Sequence, residues 1–347
     1  MLALGKVHMA VSSEAAVAGG RDGKEGSVLV ERGAAFALAA GVMSVARLKA
    51  PFPIMLADRF LPDAGWIEIG LLAAYASFLV GRLIRSSDTG RIRRGIWLAF
   101  SAVFFTQLLI GIAGVDRLLM TGRLHVPVPA VVIGGPLYRG DRVFMPVLFL
   151  ATIVLVGPAW CSHLCYFGAW DALAAHRKPA RVLGAAWSRL RYALFVLTPI
   201  AALSLCFAGA SGELAAAVAG GFGGIGALCM ATLSTRRGVM VHCSSLCPLG
   251  VASMLLGKVS PFRVRIGQSC TDCGRCTRVC RYNALNAEHV RRRRPGANCS
   301  LCGDCLGACR EGALVYRFPG LSGASARRIF LVLVVSLHAV FLGVARI

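Results

Sequence analysis

Several stretches of this chain are apolar for about 20 residues, the length of helix that crosses roughly 30 Å of hydrocarbon, and this removes most soluble folds from consideration. Six such runs stand at 65–84, 96–115, 143–160, 193–211, 214–234 and 329–346. A weaker seventh, at 33–50, is interrupted by Arg47 and Lys49. With 56% hydrophobic and 16% charged residues among 347, and a mean hydropathy of +0.68, the chain fits a bilayer as its solvent. An all-α polytopic membrane domain of six to seven transmembrane helices is therefore expected. The glycines at 220, 221, 223, 224 and 226 suit close helix approach within that domain.

A formal charge of +22 in a soluble protein would point to nucleic acid. In a membrane protein it is read through topology, because Lys and Arg collect in cytoplasmic loops, and no nucleic-acid partner is expected. Arg82, Arg85, Arg91, Arg93 and Arg94 crowd one connection, and His176, Arg177, Lys178, Arg181, Arg189 and Arg191 another. Both belong inside, as does the arginine-rich region 235–328. The loop at about 116–142 and the 211–213 turn belong outside. Residues 1–32 mix glycine, serine and both charge signs without the order of a cleaved signal peptide, and read as a loose cytoplasmic tail. That tail is inside only if 33–50 spans.

The cysteines carry the chemistry. Fourteen are present, and eight form two runs: Cys270-x2-Cys273-x2-Cys276-x3-Cys280 and Cys299-x2-Cys302-x2-Cys305-x3-Cys309. Zinc sites pair two cysteines and then two more ligands, whereas this spacing wraps three thiolates around one 4Fe–4S cubane and sends the fourth to the other cluster. One cluster is expected on Cys270, Cys273, Cys276 and Cys309, the other on Cys299, Cys302, Cys305 and Cys280. Gly274, Gly303, Gly307 and Ala308 permit the tight turns this needs. Each oxidised cubane on four thiolates carries about −2, which lowers the working charge. Segment 266–318 resembles a bacterial two-cluster ferredoxin, so a small α+β ferredoxin-like cytoplasmic module is expected. Where that family has proline after the fourth cysteine, this chain has Arg281 and Arg310. A cation there favours the reduced cluster, so a raised potential is expected.

Four further cysteines lie in two copies of one motif, Cys161-Ser162-His163-Leu164-Cys165 and Cys243-Ser244-Ser245-Leu246-Cys247, sharing C-S-x-L-C-x-x-G. Each copy follows an apolar span, which implies an internal duplication of the membrane domain. An i, i+4 pair shares one helix face, so two copies meeting about a pseudo-twofold axis bring four thiolates together. A third iron–sulfur centre at Cys161, Cys165, Cys243 and Cys247 is expected; transient copper, disulfides and inert packing are the alternatives. Spans followed by C-x3-C motifs and a two-cluster segment are similar to the membrane-bound ferredoxin family of the NapH, MauN and NosR type, over about residues 65–315. Cys247-Pro248 keeps that family's proline, whereas Tyr166 replaces it in the first copy. The resemblance implies electron transfer coupled to the quinone pool of a bacterial inner membrane, by an electron-transfer component of quinol dehydrogenase type.

Weaker signals complete the reading. Cys206 and Cys229 lie in spans as small hydrophobes. His338 stands in the last span with no other histidine at mid-span, which disfavours haem. A quinol pocket in the outer loop would use His125, Tyr138 or Asp141 to handle protons. The run Arg291–Arg294 docks an acidic redox partner or anionic lipid, or is a solvated insertion. The organisation expected is a tail at 1–32, a transmembrane domain at 33–257, the ferredoxin-like domain at 258–328 and a last helix at 329–347. No nucleophile–base pair, phosphate loop or carboxylate dyad appears, so the function expected is electron transfer between quinone and a protein partner. The rivals are metal-ion reduction for oxidase assembly, as in CcoG-type relatives, and redox sensing.

Overall fold

A computed structural model describes residues 12–86, 88–119, 126–140 and 144–344. Among them seven helices are long and apolar enough to cross a membrane: Val28–Lys49, Gly65–Arg85, Thr89–Ile112, Met145–Leu164, Ala185–Phe207, Gly212–Arg237 and Gly323–Val344. The weak run at 33–50 is one of the seven. Arg47, which made it weak, donates to Asp58 at 2.7 Å and Asp63 at 3.0 Å at the end of the helix, so its charge is partnered. Helix α1, Ser12–Lys49, extends well beyond the span. The tail expected to be loose to residue 32 is thus helical from Ser12, despite Gly19, Gly20, Gly23 and Gly26, which disfavour helix.

Helices α2 (Gly65–Arg85) and α3 (Thr89–Ile112) follow, and then the short α4 (Val131–Arg139), which folds back into the bundle. Val128, just before α4, is buried where a Cβ on Gly223 would meet it at 2.5 Å. Next come α5 (Phe144–Val156), α6 (Tyr166–Ala175), α7 (Ala185–Phe207), α8 (Gly212–Cys229), the single turn α9 (Thr235–Arg237) and α10 (Pro248–Leu256). The module consists of β1 (Arg263–Ile266), α11 (Arg275–Val279), α12 (Ala287–Arg291), α13 (Asp304–Ala308) and β2 (Leu314–Arg317). Its strands pair antiparallel, Arg263 opposite Arg317 and Ile266 opposite Leu314. The last span is α14, Gly323–Val344.

Helices α1, α2 and α14 pack on small and branched residues, with Ala35, Ala39 and Met43 spaced one turn apart on α1. The same apolar core runs on into the module. Phe330 of α14 stacks on Tyr316 at 4.8 Å between centroids and meets Phe262 at 5.4 Å. The module is therefore seated on the bundle. Its contacts fall on the connections richest in Lys and Arg, those around 90–94, 178–183 and 237–240.

Candidate iron–sulfur centres

Both C-x3-C motifs fold alike, and not as one face of an α-helix. Trp160–Leu164 and His242–Leu246 each form a π-turn, closed by the N–H of Cys165 on the carbonyl of Trp160 (3.0 Å) and of Cys247 on His242 (2.9 Å). The second cysteine of each pair is extended and caps the next helix, α6 or α10. The wider turn and the break after it set the two thiols at different points of one bend, correcting the expected i, i+4 face. Such turns are frequent at functional sites. The glycine of the shared pattern is needed because a Cβ at Gly168 would meet the Cys161 carbonyl at 3.2 Å, and one at Gly250 the Cys243 carbonyl at 2.9 Å. Backbone N–H groups of Phe167 and Gly168 reach Cys165, and those of Leu249 and Gly250 reach Cys247. Donors at a helix start favour a thiolate.

Cys161, Cys165, Cys243 and Cys247 line one small cavity. Burial pushes the Cys165 thiol up, with Cys247 and Cys161 adding to it, and pushes Cys247 up to about 12. Such thiols ionise when a metal centre pays for the charge, with release of protons. Trp160 and His242, one at the head of each motif, line the same cavity with buried ring nitrogens that have no partner: Nε1 of Trp160 and both nitrogens of His242. Burial holds His242 down at about 4, hence neutral with one N–H to donate. Among the described residues no three of His, Cys, Asp or Glu close on a single ion. A donor set of four thiols with orphaned N–H groups around it suits a centre that brings anionic sulfur of its own. Behind Cys243, buried Asp171 accepts from its backbone N–H at 2.9 Å and is pushed up to about 6 by burial.

In the module, cysteines of the two runs lie close enough to act on one another's charge. Cys276 is raised by burial and then by Cys270, Cys309 and Cys273. Cys305 is raised by burial and then by Cys302, Cys299 and Cys280. The fourth cysteine of each run thus acts on a cysteine of the other, Cys309 on Cys276 and Cys280 on Cys305. Gly274 and Gly303 take left-handed conformations, φ +71° and +81°, opening α11 and α13 between the ligands. The two groups differ in surroundings. Cys273 is exposed, and the N–H of Arg275 lowers its proton affinity. Cys280, Cys299 and Cys302 are pushed up to about 12, chiefly by burial.

Sequence reasoning missed the residues that join the two sites. Tyr282 is buried and donates to the Cys161 carbonyl at 2.7 Å. The Ser162 hydroxyl donates to the Ser300 carbonyl at 2.8 Å, between Cys299 and Cys302. Arg93 donates to the Ser162 carbonyl at 2.7 Å and pairs with Asp304 at 3.1 Å, both side chains under a tenth exposed. Arg281 is buried and donates to the carbonyls of Lys178 and Gly238. Here the arginine in place of proline clamps the module to two bundle loops. Arg310 is exposed. The only sequence signal for these contacts was the proximity of Tyr282 and Arg281 to Cys280.

Other expected residues divide. His125 and Asp141 lie outside the described residues, and Tyr138 spends its hydroxyl on the Ala210 carbonyl at 2.7 Å. Cys229 is buried and Cys206 exposed, each in its helix. His338 is not alone at depth, because the fourth span continues through the π-turn to include His163. Its Nδ1 lies 3.0 Å from the His163 carbonyl, which only accepts, so Nδ1 carries the proton and Nε2 faces the Tyr75 hydroxyl at 3.4 Å. Neither nitrogen is free for haem iron. His163, His338, Arg93 and Trp97 line one small cavity.

Residues 142–184 and 219–267 match the family described as "4Fe-4S binding domain". Each matched segment contains one C-x3-C turn, and both end before Cys270. The match supports an iron–sulfur protein of ferredoxin type. No curated protein and no solved structure matches the chain.

Proposed function

We propose that this chain is a membrane electron-transfer protein in which a third 4Fe–4S centre, on Cys161, Cys165, Cys243 and Cys247, links two ferredoxin clusters to a quinone in the bilayer. The observation that carries the reading is the single cavity lined by the four thiols of two duplicated turns. The family match to those two segments supports it. Each 4Fe–4S cluster supplies one-electron oxidation and reduction. Cys299, Cys302, Cys305 and Cys280 would hold the inner module cluster, and Cys270, Cys273, Cys276 and Cys309 the outer one. Tyr282 and Ser162 hold the membrane thiols against the inner set, and Arg93 with Asp304 fixes that contact. In this reading the membrane is a bacterial inner membrane, and the Lys- and Arg-rich loops support a cytoplasmic module.

The quinone head is assigned to the site around His338, which must widen to admit it. It lies between α2, α3 and α14 and is lined by leucine, isoleucine and valine apart from Arg93, Trp97 and the two histidines. His338 Nε2, the unprotonated nitrogen, would take a proton from a quinol hydroxyl that displaces the Tyr75 hydroxyl now facing it at 3.4 Å. Protein purified without oxygen and mixed with a quinol analogue should show reduced-cluster EPR signals, and His338→Leu should remove them while dithionite still produces them. Clusters that dithionite reduces and quinol leaves oxidised in the native chain would overturn the quinone reading.

A further inference from the structure

The strand pair of the module carries an arrangement that costs stability. Arg263 and Arg317 are cross-strand partners, and like charges directly opposite destabilise a sheet. Arg265 is crowded by Arg294 as well as by those two, and its proton affinity is lowered by burial and by all three neighbours. Asp272 and Glu288 are already taken by other arginines. Asp272 pairs with Arg293 at 3.0 Å and Glu288 with Arg292 at 2.6 Å. Among the described residues Arg265, Arg294 and Arg317 have no carboxylate partner. Over 258–328 there are fourteen Lys and Arg against four Asp and Glu.

This charge is continuous with the exposed edge of the outer cysteine set. Arg293, which holds Asp272 next to Cys273, also accepts the Ile266 N–H on its carbonyl at 3.3 Å, beside Arg265. Arg275 lies on the other side of Cys273 and is partly exposed. An exposed ligand with Arg275 beside it, at the edge of a strand pair rich in unpaired arginines, is electrostatically complementary to an acidic protein surface.

We infer that the face from Arg275 beside Cys273 to Arg265, Arg294 and Arg317 docks an acidic redox protein, with electrons crossing at the Cys273 edge. The inference rests on the electron-transfer reading above and gives its protein partner a chemistry and a place. At the contact one electron passes, one centre is oxidised and the other reduced, and no bond or proton moves.

The test uses the full chain with its clusters, reduced, in phosphatidylcholine nanodiscs. Oxidation by native cytochrome c, which is basic, is compared with oxidation by succinylated cytochrome c, the same haem protein made acidic. The acidic form should react about tenfold faster at low salt, and the difference should vanish near 0.5 M salt, as screening requires. Arg294→Glu with Arg317→Glu should reverse the preference with cluster EPR unchanged. Equal rates, a preference for the basic form, or a variant that behaves as the native chain would overturn the docking face. So would an acidic preference abolished by phosphatidylglycerol in the nanodisc, which would assign the face to lipid. If neither cytochrome oxidises the clusters, the electron-transfer reading itself fails.

Discussion

The two cysteine runs of the module share one spacing and stand in opposite surroundings. The group built on Cys270, Cys273 and Cys276 opens to solvent at Cys273, beside a face of arginines. The group built on Cys299, Cys302 and Cys305 is pressed against the bundle, where Ser300 meets Ser162 and Asp304 meets Arg93. Spacing therefore defines what can be bound, and burial defines which end of a chain of centres each group occupies. The inner group faces the membrane thiols and the outer group opens to solvent at Cys273.

The largest expected effect is on the contact that makes the inner group inner. Asp304→Asn leaves Arg93 buried beside an uncharged partner and should cost about 3–5 kcal/mol, read as a lower unfolding midpoint of the module. A loss under about 1 kcal/mol would mean that the pair does not seat the module. Next come the two arginines that follow the fourth cysteines. Arg281→Met, which abandons two buried carbonyls, should cost about 2–3 kcal/mol, whereas Arg310→Met on the surface should stay within about 0.5 kcal/mol. Equal effects would erase the distinction between the two runs.

The pH dependence of cluster loading is a third discriminant. Thiols raised to about 12, as at Cys280, Cys299 and Cys302, are protonated at neutral pH and give up their protons to bind iron. Loading of the inner group should therefore strengthen as pH rises from about 7 to 9, by up to about 1.4 kcal/mol per proton released per pH unit. The outer group contains Cys273, already held below its ordinary value, and should respond less steeply in titrations followed by EPR. The smallest effect is at Tyr282. Tyr282→Phe removes one hydrogen bond to the Cys161 carbonyl, about 1 kcal/mol, and should weaken magnetic coupling between the membrane centre and the inner cluster while leaving cluster content intact.

Much of this was legible in the sequence because it is written locally. Apolar length marked the spans, and three- and four-residue cysteine spacing marked the ligands. The repeated C-S-x-L-C-x-x-G marked a duplication that recurs as two π-turns. What stayed hidden depends on distant partners. Arg93 and Asp304 are 211 residues apart, and nothing near either one announces the pair. Arg47 weakened the first span on paper because Asp58 and Asp63, which take its charge, lie beyond the helix. The expected i, i+4 geometry failed because a backbone that widens for one turn leaves no mark on hydrophobic period. His163 entered the interior for the same reason.

The central claim, a third centre on the four membrane thiols, is tested most directly by iron and acid-labile sulfide on protein purified without oxygen. About twelve of each per chain is expected, falling to about eight in Cys243→Ala with Cys247→Ala while the EPR signals of the two module clusters persist. About eight in the native chain, with both module signals at full intensity, would contradict it.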